Sequence, residues 1–278
     1  MGEVGVIQCV KFVRQMRGET GAALLGAADG RHYVVKFAND SRHRRVLVNE
    51  LLSSQILQRL GISTPAPAVV QIDDAFIREH DLRIQPGPHF GSQYPGDPEH
   101  LKVYDILPDL PLLAVANLNE FLGVLLFDKW VANLDRRQAI FSRKPSNGRS
   151  RLVASMIDHG LTFGGAEWRL TTSAGHGLYY RDIVYRMVSA WADFEPWLTR
   201  IETFSPDSLQ QAALQIPGEW VDQDRAALDQ MLERLLRRRQ DVRRLIEELW
   251  ESSFNPFPCW SRWAAVTRRE HNIPKEAA

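Results

Sequence analysis

Lys36 closes an apolar strand in "HYVVKF", and Glu50 follows on a stretch whose apolar residues recur at helical spacing. Two aspartates come much later, Asp135 in "FDKWVANLDRRQAIF" and Asp158 in "MIDHG". Both lie against chain that reads as protein interior, where an unpaired carboxylate is costly. A lysine can hold phosphate oxygens, and a carboxylate beside a buried lysine fixes it in place. A second carboxylate can orient or deprotonate an acceptor hydroxyl. A third can hold Mg²⁺, a hard cation that takes oxygen ligands. Phosphoryl transfer from ATP asks for these parts, because its catalysis is mostly positioning and charge neutralisation.

The elements that must position these groups can be read in order. "VIQCVKFV" reads as a strand, followed by the glycine-bearing loop "RQMRGETG" and the apolar piece "AALLGA". "ADGRHYVVKF" reads as a hairpin, since Asp-Gly supplies the positive φ of a tight turn. In "RRVLVNELLSSQILQRLG" Val46, Leu47, Glu50, Leu51, Ile56, Leu57 and Leu60 recur at helical spacing, and Gly61 ends the helix. "TPAPAVVQI" predicts a strand and "AFI" a further short one. Residues 81–111 are a Pro- and Gly-rich belt, with a hinge expected at His89 to Tyr94.

From Leu118 onward the pattern turns helical. "NLNEFLGVLLFDKWVAN" predicts an amphipathic helix, and "AIFSR" with "RLVASMID" a hairpin joined by "KPSNGRS". Further helices are expected at "RDIVYRMVSAWADFEPWLTRI" and "DRAALDQMLERLLRRRQDVRRLIEELW". The expected division is a β-rich lobe with its hinge at 1–94 and a helical lobe at 95–278, the latter carrying the catalytic and metal-binding loops.

Composition narrows the setting. The 278 residues balance to zero formal charge, so no global field favours nucleic acid or an acidic membrane. Cys9 and Cys259 stand far apart in no metal-ligand pattern. No apolar run approaches the ~18 residues that span a bilayer, and the first residues lack a secretion signal. A cytoplasmic protein, with no direct nucleic-acid or membrane contact, is expected.

"YVVKF", "NE" at Asn49 and Glu50, "NLDR" from Asn133 to Arg136 and "MIDHG" together resemble the HipA-like kinase family, within the wider protein-kinase and phosphatidylinositol-kinase-like fold. "GPHFGSQY", "FDKWVAN", "HGLTFGG" and "FEPWL" add to the resemblance, which runs from Val6 to Leu249. It implies a two-lobed α+β kinase-like fold, with a small β-rich lobe bearing one helix and a larger, mainly helical lobe. ATP and Mg²⁺ would bind between them. By this resemblance Lys36, paired with Glu50, contacts the phosphates. Gly18 to Gly21 takes the place of a phosphate-covering loop, and Gln93 joins the nucleotide contacts. Asp135 matches the catalytic aspartate and Asp158 the Mg²⁺ ligand.

The sequence departs from the pattern twice. Ile140 stands where related catalytic loops carry a metal-binding asparagine, leaving Gln138 as the nearest amide. "RGETG" also lacks a three-glycine pattern. The implied activity is transfer of the γ-phosphate to a protein Ser or Thr, and family members often answer to an antitoxin-like protein partner. A nucleotide-binding pseudokinase and a small-molecule kinase are the competing readings.

Plainer roles exist for each residue. Lys36 can snorkel from a strand end, and Glu50 can be a solvated helix residue. Asp135 can be a turn residue held by Arg136 or Arg137, and Asp158 a turn former before Gly160. Asn133 is expected to stabilise a loop and Asp128 a helix end. His89 and His159 lie near the expected cleft without metal-ligand spacing. The arginine run from Glu233 to Arg244 is expected to be a solvated helix face.

Overall fold

The first third of the chain builds strands from its β-branched and aromatic residues. In the computed structural model, which describes residues 4–16, 21–38, 41–146 and 149–261, five of them close a barrel. They are β1 (Val6–Gln15), β2 (Ala23–Ala27), β3 (His32–Lys36), β4 (Pro67–Ile72) and β5 (Gly87–Gln93), in the order β1–β2–β3–β5–β4. Neighbours are antiparallel except at the seam, where β1 runs parallel to β4. Closure removes the free edges that a sheet would otherwise expose. Helix α1 (Ser41–Leu60) crosses between β3 and β4.

Two local readings differ here, the strand at "AFI" and the loop character of residues 87–93. "AFI" belongs to a helix, α2 (Asp74–Glu79), because Asp73 caps it by accepting the Phe76 amide at 2.8 Å. The stretch expected to hinge at His89 to Tyr94 is mostly β5, paired on both sides by β3 and β4. Its glycines suggested a loop, but Gly91 serves close packing. A Cβ there would sit 2.6 Å from Val70 Cγ2.

The remainder is mainly helical around one small sheet. After β6 (Val103–Tyr104) and α3 (Asp109–Leu113) comes α4 (Glu120–Trp130), in which Phe121 to Trp130 are all buried. This helix is therefore central rather than amphipathic. The expected hairpin forms as β7 (Gln138–Ser146) and β8 (Arg149–Ile157), with Gln138 opposite Ile157, and β6 pairs with β7.

The stretch 181–201 is not one helix. Short 3-10 turns at Asp182–Val184 and Trp191–Phe194 precede α5 (Trp197–Glu202), where Pro196 restarts the chain. Then follow α6 (Pro206–Ala213), α7 (Gly218–Val221), α8 (Arg225–Arg238) and α9 (Val242–Glu251). A 3-10 turn at Arg239–Asp241 divides the expected last helix in two. Arg234, Arg237, Arg243 and Arg244 are exposed there, while Arg238 turns in to the Trp130 carbonyl at 2.9 Å. No helix among the described residues is long and apolar enough to cross a membrane.

Two apolar cores result. One fills the barrel with residues such as Leu25, Tyr33, Val35, Val70 and Ile72. The larger gathers α4 and the later helices, and it also takes Leu47, Leu51, Ile56 and Leu57 of α1 with Val69 and Phe90 from the barrel's outer face. Together these make a two-lobed α+β fold.

Candidate functional site

Strand alternation sets the direction of Lys36. Tyr33 and Val35 point into the barrel, so Lys36 emerges on the outer face, toward α1. Its ammonium meets the Glu50 carboxylate and lies 2.7 Å from Asp158 Oδ1. Glu50 is buried, and its other oxygen accepts the His159 amide at 3.0 Å. Burial alone would push Lys36 down, but Glu50 and Asp158 outweigh it and raise the ammonium above its ordinary range. Burial pushes the Glu50 carboxyl up against the pull of Lys36. The Asp158 carboxyl also feels burial, yet Lys36, Arg137 and Gln138 together hold it below the ordinary carboxylate range. A charged lysine and an ionised aspartate therefore coexist here at neutral pH.

Asp158 sits just past the end of β8 with a left-handed backbone, φ 60°. Gln138, the first residue of β7, donates its amide to Asp158 Oδ2 at 2.9 Å. The Asp158 side chain is 34% exposed, so a ligand can reach it. Among the described residues no group of three or more His, Cys, Asp or Glu could hold a metal alone. Asp158 instead suits Mg²⁺ of the kind that takes one or two protein oxygens and completes its shell with phosphate and water, and Gln138 would add its oxygen once its amide turns over, since its N–H now faces Asp158. Ile140 lies two residues further along β7, half-buried, and offers no donor.

Asp135 enters from the loop between α4 and β7. That loop is bonded to the chain beyond Asp158: the Leu134 amide to Leu161 O at 3.0 Å, Phe163 to Val131 O at 2.7 Å and Gly164 to Ala132 O at 3.1 Å. The Asp135 amide donates to Asn133 Oδ1 at 3.1 Å, so Asn133 stabilises the loop as expected. Asp135 Oδ1 accepts the Arg136 amide at 2.7 Å, and the side chain is half-exposed. Neither arginine side chain is what holds it. Arg136 is exposed and Arg137 turns away to Asp128.

Gly18 lies outside the described residues. Gly21 leads into β2, whose first residue pairs with Val35, the neighbour of Lys36. Gln93 is placed differently from expectation. It pairs with Tyr33 while Lys36 pairs with Phe90, so its side chain shares the Tyr33 face and not that of Lys36. Its amide donates to Ala66 O at 2.9 Å. His89 stands apart as well, its ring bonded to the Ala38 amide and the Gln85 carbonyl, both at 3.0 Å. A cavity of about 410 Å³ lined by Arg44, Arg45, Glu167, Trp220 and Asp224 lies at the start of α1, away from these groups.

A family model described as HipA-like kinase matches residues 9–253. The chain belongs to the HipA-like kinase family. Among solved structures it is similar to the Golgi casein kinase with Mn/ADP bound, at 12% identity and TM-score 0.48, over 91% of this chain and 75% of that one. It is also similar to the Helicobacter pylori proinflammatory kinase CtkA, at 11% identity and TM-score 0.44, over 89% and 97% of the two chains. None of the curated proteins compared matches it.

In this HipA-like kinase a buried network underlies the site, and sequence reasoning missed its centre. Arg137 is 1% exposed and makes two bonds to the Asp128 carboxylate, one of them Nε to Oδ2 at 2.8 Å. Its Nη1 donates to the Ile157 carbonyl at 2.8 Å and to His159 Nδ1 at 2.9 Å. His159 Nε2 therefore carries the proton and donates to Thr64 Oγ1 at 3.2 Å. Burial, followed by the nearby Arg137 and Lys36 charges, keeps that ring neutral far below its ordinary pKa. Asp128, set beside Lys129 inside the apolar run "LLFDKWVA", is the signal that was available: a buried carboxylate needs a buried counter-ion.

Proposed function

We propose that this HipA-like kinase transfers the γ-phosphate of Mg²⁺-bound ATP to a hydroxyl, on a protein Ser or Thr. The observation that carries the reading is the meeting of Lys36 with both Glu50 and Asp158 where barrel and helical core touch. Two carboxylates around one buried ammonium keep it charged and aimed, as a phosphate-binding lysine requires. Asp158 and Gln138 would hold Mg²⁺, which when bound neutralises charge on the phosphates. Asp135, oriented by the Arg136 amide, would take the acceptor proton as the new O–P bond forms and the bond to the β-phosphate oxygen breaks, releasing ADP. The loop Gly18 to Gly21 would cover the phosphates. The main chain at Gln93, about 10 Å along β5 from the level of Lys36 at ~3.3 Å per residue, would meet the nucleoside. On this reading the nucleotide lies between residues 1–94 and 95–278.

A polypeptide acceptor is favoured by the surroundings of Asp135. Leu161 and Tyr180, 44% and 43% exposed, stand on chain bonded to its loop or close to it. Exposed apolar side chains on an open surface suit a polypeptide better than a small polar molecule. A second reading, a nucleotide-binding module without turnover, rests on Ile140.

Labelled γ-phosphate transfer to cell-extract proteins, run for wild type, Asp135→Asn and Asp158→Asn, separates these readings. Label lost in both variants is the expected result. No transfer, with Mg²⁺-dependent ATP binding that survives Asp135→Asn but not Asp158→Asn, would establish the second reading. No ATP binding at all removes both.

A further inference from the structure

We infer that Arg137 is a positioning residue that sets where the Asp158 carboxylate stands. The inference rests on the proposed role of Asp158 in holding Mg²⁺-ATP. One guanidinium group grips the chain on both sides of that aspartate, through the Ile157 carbonyl at 2.8 Å and the His159 ring at 2.9 Å. Between these two points Asp158 adopts φ 60°, which a residue with a Cβ keeps only when its surroundings over-determine it. The Arg137 amide is fixed too, donating to Leu178 O at 3.0 Å.

The same residue is the middle of Asp135-Arg136-Arg137-Gln138. Its grip therefore joins the acceptor-side loop, the Gln138 amide and the Asp158 backbone into one rigid piece. Asp128 balances the charge, so Arg137 does not act as a free cation on phosphate. The relay continues through His159 to Thr64, whose hydroxyl donates to Met156 O at 2.9 Å, closing the network on the end of β8. A lysine could satisfy Asp128, but it has no planar fork to reach Ile157 and His159 as well.

Arg137→Lys is the first test, because it leaves no buried charge unpaired. Thermal melting reports folding, and a fluorescent ATP analogue is titrated with and without Mg²⁺. Metal-free nucleotide binding, set by Lys36 and the barrel, should stay within about twofold of wild type. The Mg²⁺ concentration giving half of the tightening should rise about tenfold or more, as when an outer partner of a metal ligand is lost. A folded variant with an unchanged Mg²⁺ half-point overturns the inference, since a merely structural role would lower melting alone. If Arg137→Lys does not fold, the pair Asp128→Asn with Arg137→Gln, which buries no charge, is read against the same two outcomes. Wild type without Mg²⁺-dependent binding would instead remove the proposed function itself, and this inference with it.

Discussion

Gly160 shows how little room the site leaves. It follows Asp158 by two residues, and a Cβ there would stand 2.7 Å from Val46 Cγ1 and 3.2 Å from Glu50 Oε1. The first contact is too close for any real Cβ, so α1 or the loop must give way. Gly160→Ala should therefore displace Glu50 from Lys36 and cost about 1–3 kcal/mol, the range for overpacking a filled site. Urea unfolding gives the stability loss, and ATP titration should show weakened binding in the folded variant. Unaltered ATP binding would mean that the Lys36–Glu50 contact tolerates the shift. At this scale Lys36, Glu50 and Asp158 were legible, since motif context marked residues that the fold does bring together. Arg137 was not, because "DRRQ" gives no local reason to bury one arginine and expose the other. Only the distant Asp128 makes that choice.

Among the elements, α1 carries the most. Glu50 faces Lys36 from one side of it. Five residues earlier, Arg45 faces the helical core from another. Arg45 grips Asp224 through two nitrogens, donates to Ala166 O at 2.9 Å and lies 4.7 Å over the Trp168 ring. These contacts are partly exposed, so their joint worth is about 1 kcal/mol. Arg45→Met should lower melting by about 2 °C and speed amide exchange in the first turns of α1, with the Glu50 end less affected. Exchange unchanged along the helix would show that apolar packing alone holds it. Elements with their own strong local pattern, such as α1 and the β7–β8 hairpin, were readable in advance. Those decided by distant partners were not. Two neighbouring strands make β5 out of a Pro- and Gly-rich belt, and a surrounding core makes α4 a wholly buried helix.

At the scale of the molecule, chain order and packing divide the protein differently. Helix α1 is covalently part of the first third but shares its apolar core with the later helices, while the barrel has a core of its own. Lys36 reaches from the barrel across to Glu50 and Asp158 on the other core. His89 secures the barrel side of this junction, since it holds the Ala38 amide just past Lys36 and is itself buried. Burial lowers the His89 pKa from 6.5 to about 4. The folded-state value lies below the unfolded one, so on acidification the unfolded chain takes up the proton first. Stability should therefore fall as pH drops from 6.5 towards 4, by up to about 3 kcal/mol from this residue at ~1.36 per unit. Urea unfolding at pH 7.5, 6 and 4.5 measures that slope. His89→Gln should be less stable at pH 7.5 yet flatter over the same window, and an equal slope in both would assign the acid loss to other groups. Asp158 is held below its ordinary range, so its pairing with Lys36 outlasts this transition. The fraction still folded near pH 5 should for that reason keep the Asp158–Lys36 pair, while Glu50, whose carboxyl burial pushes up, is the site carboxylate that acid reaches first.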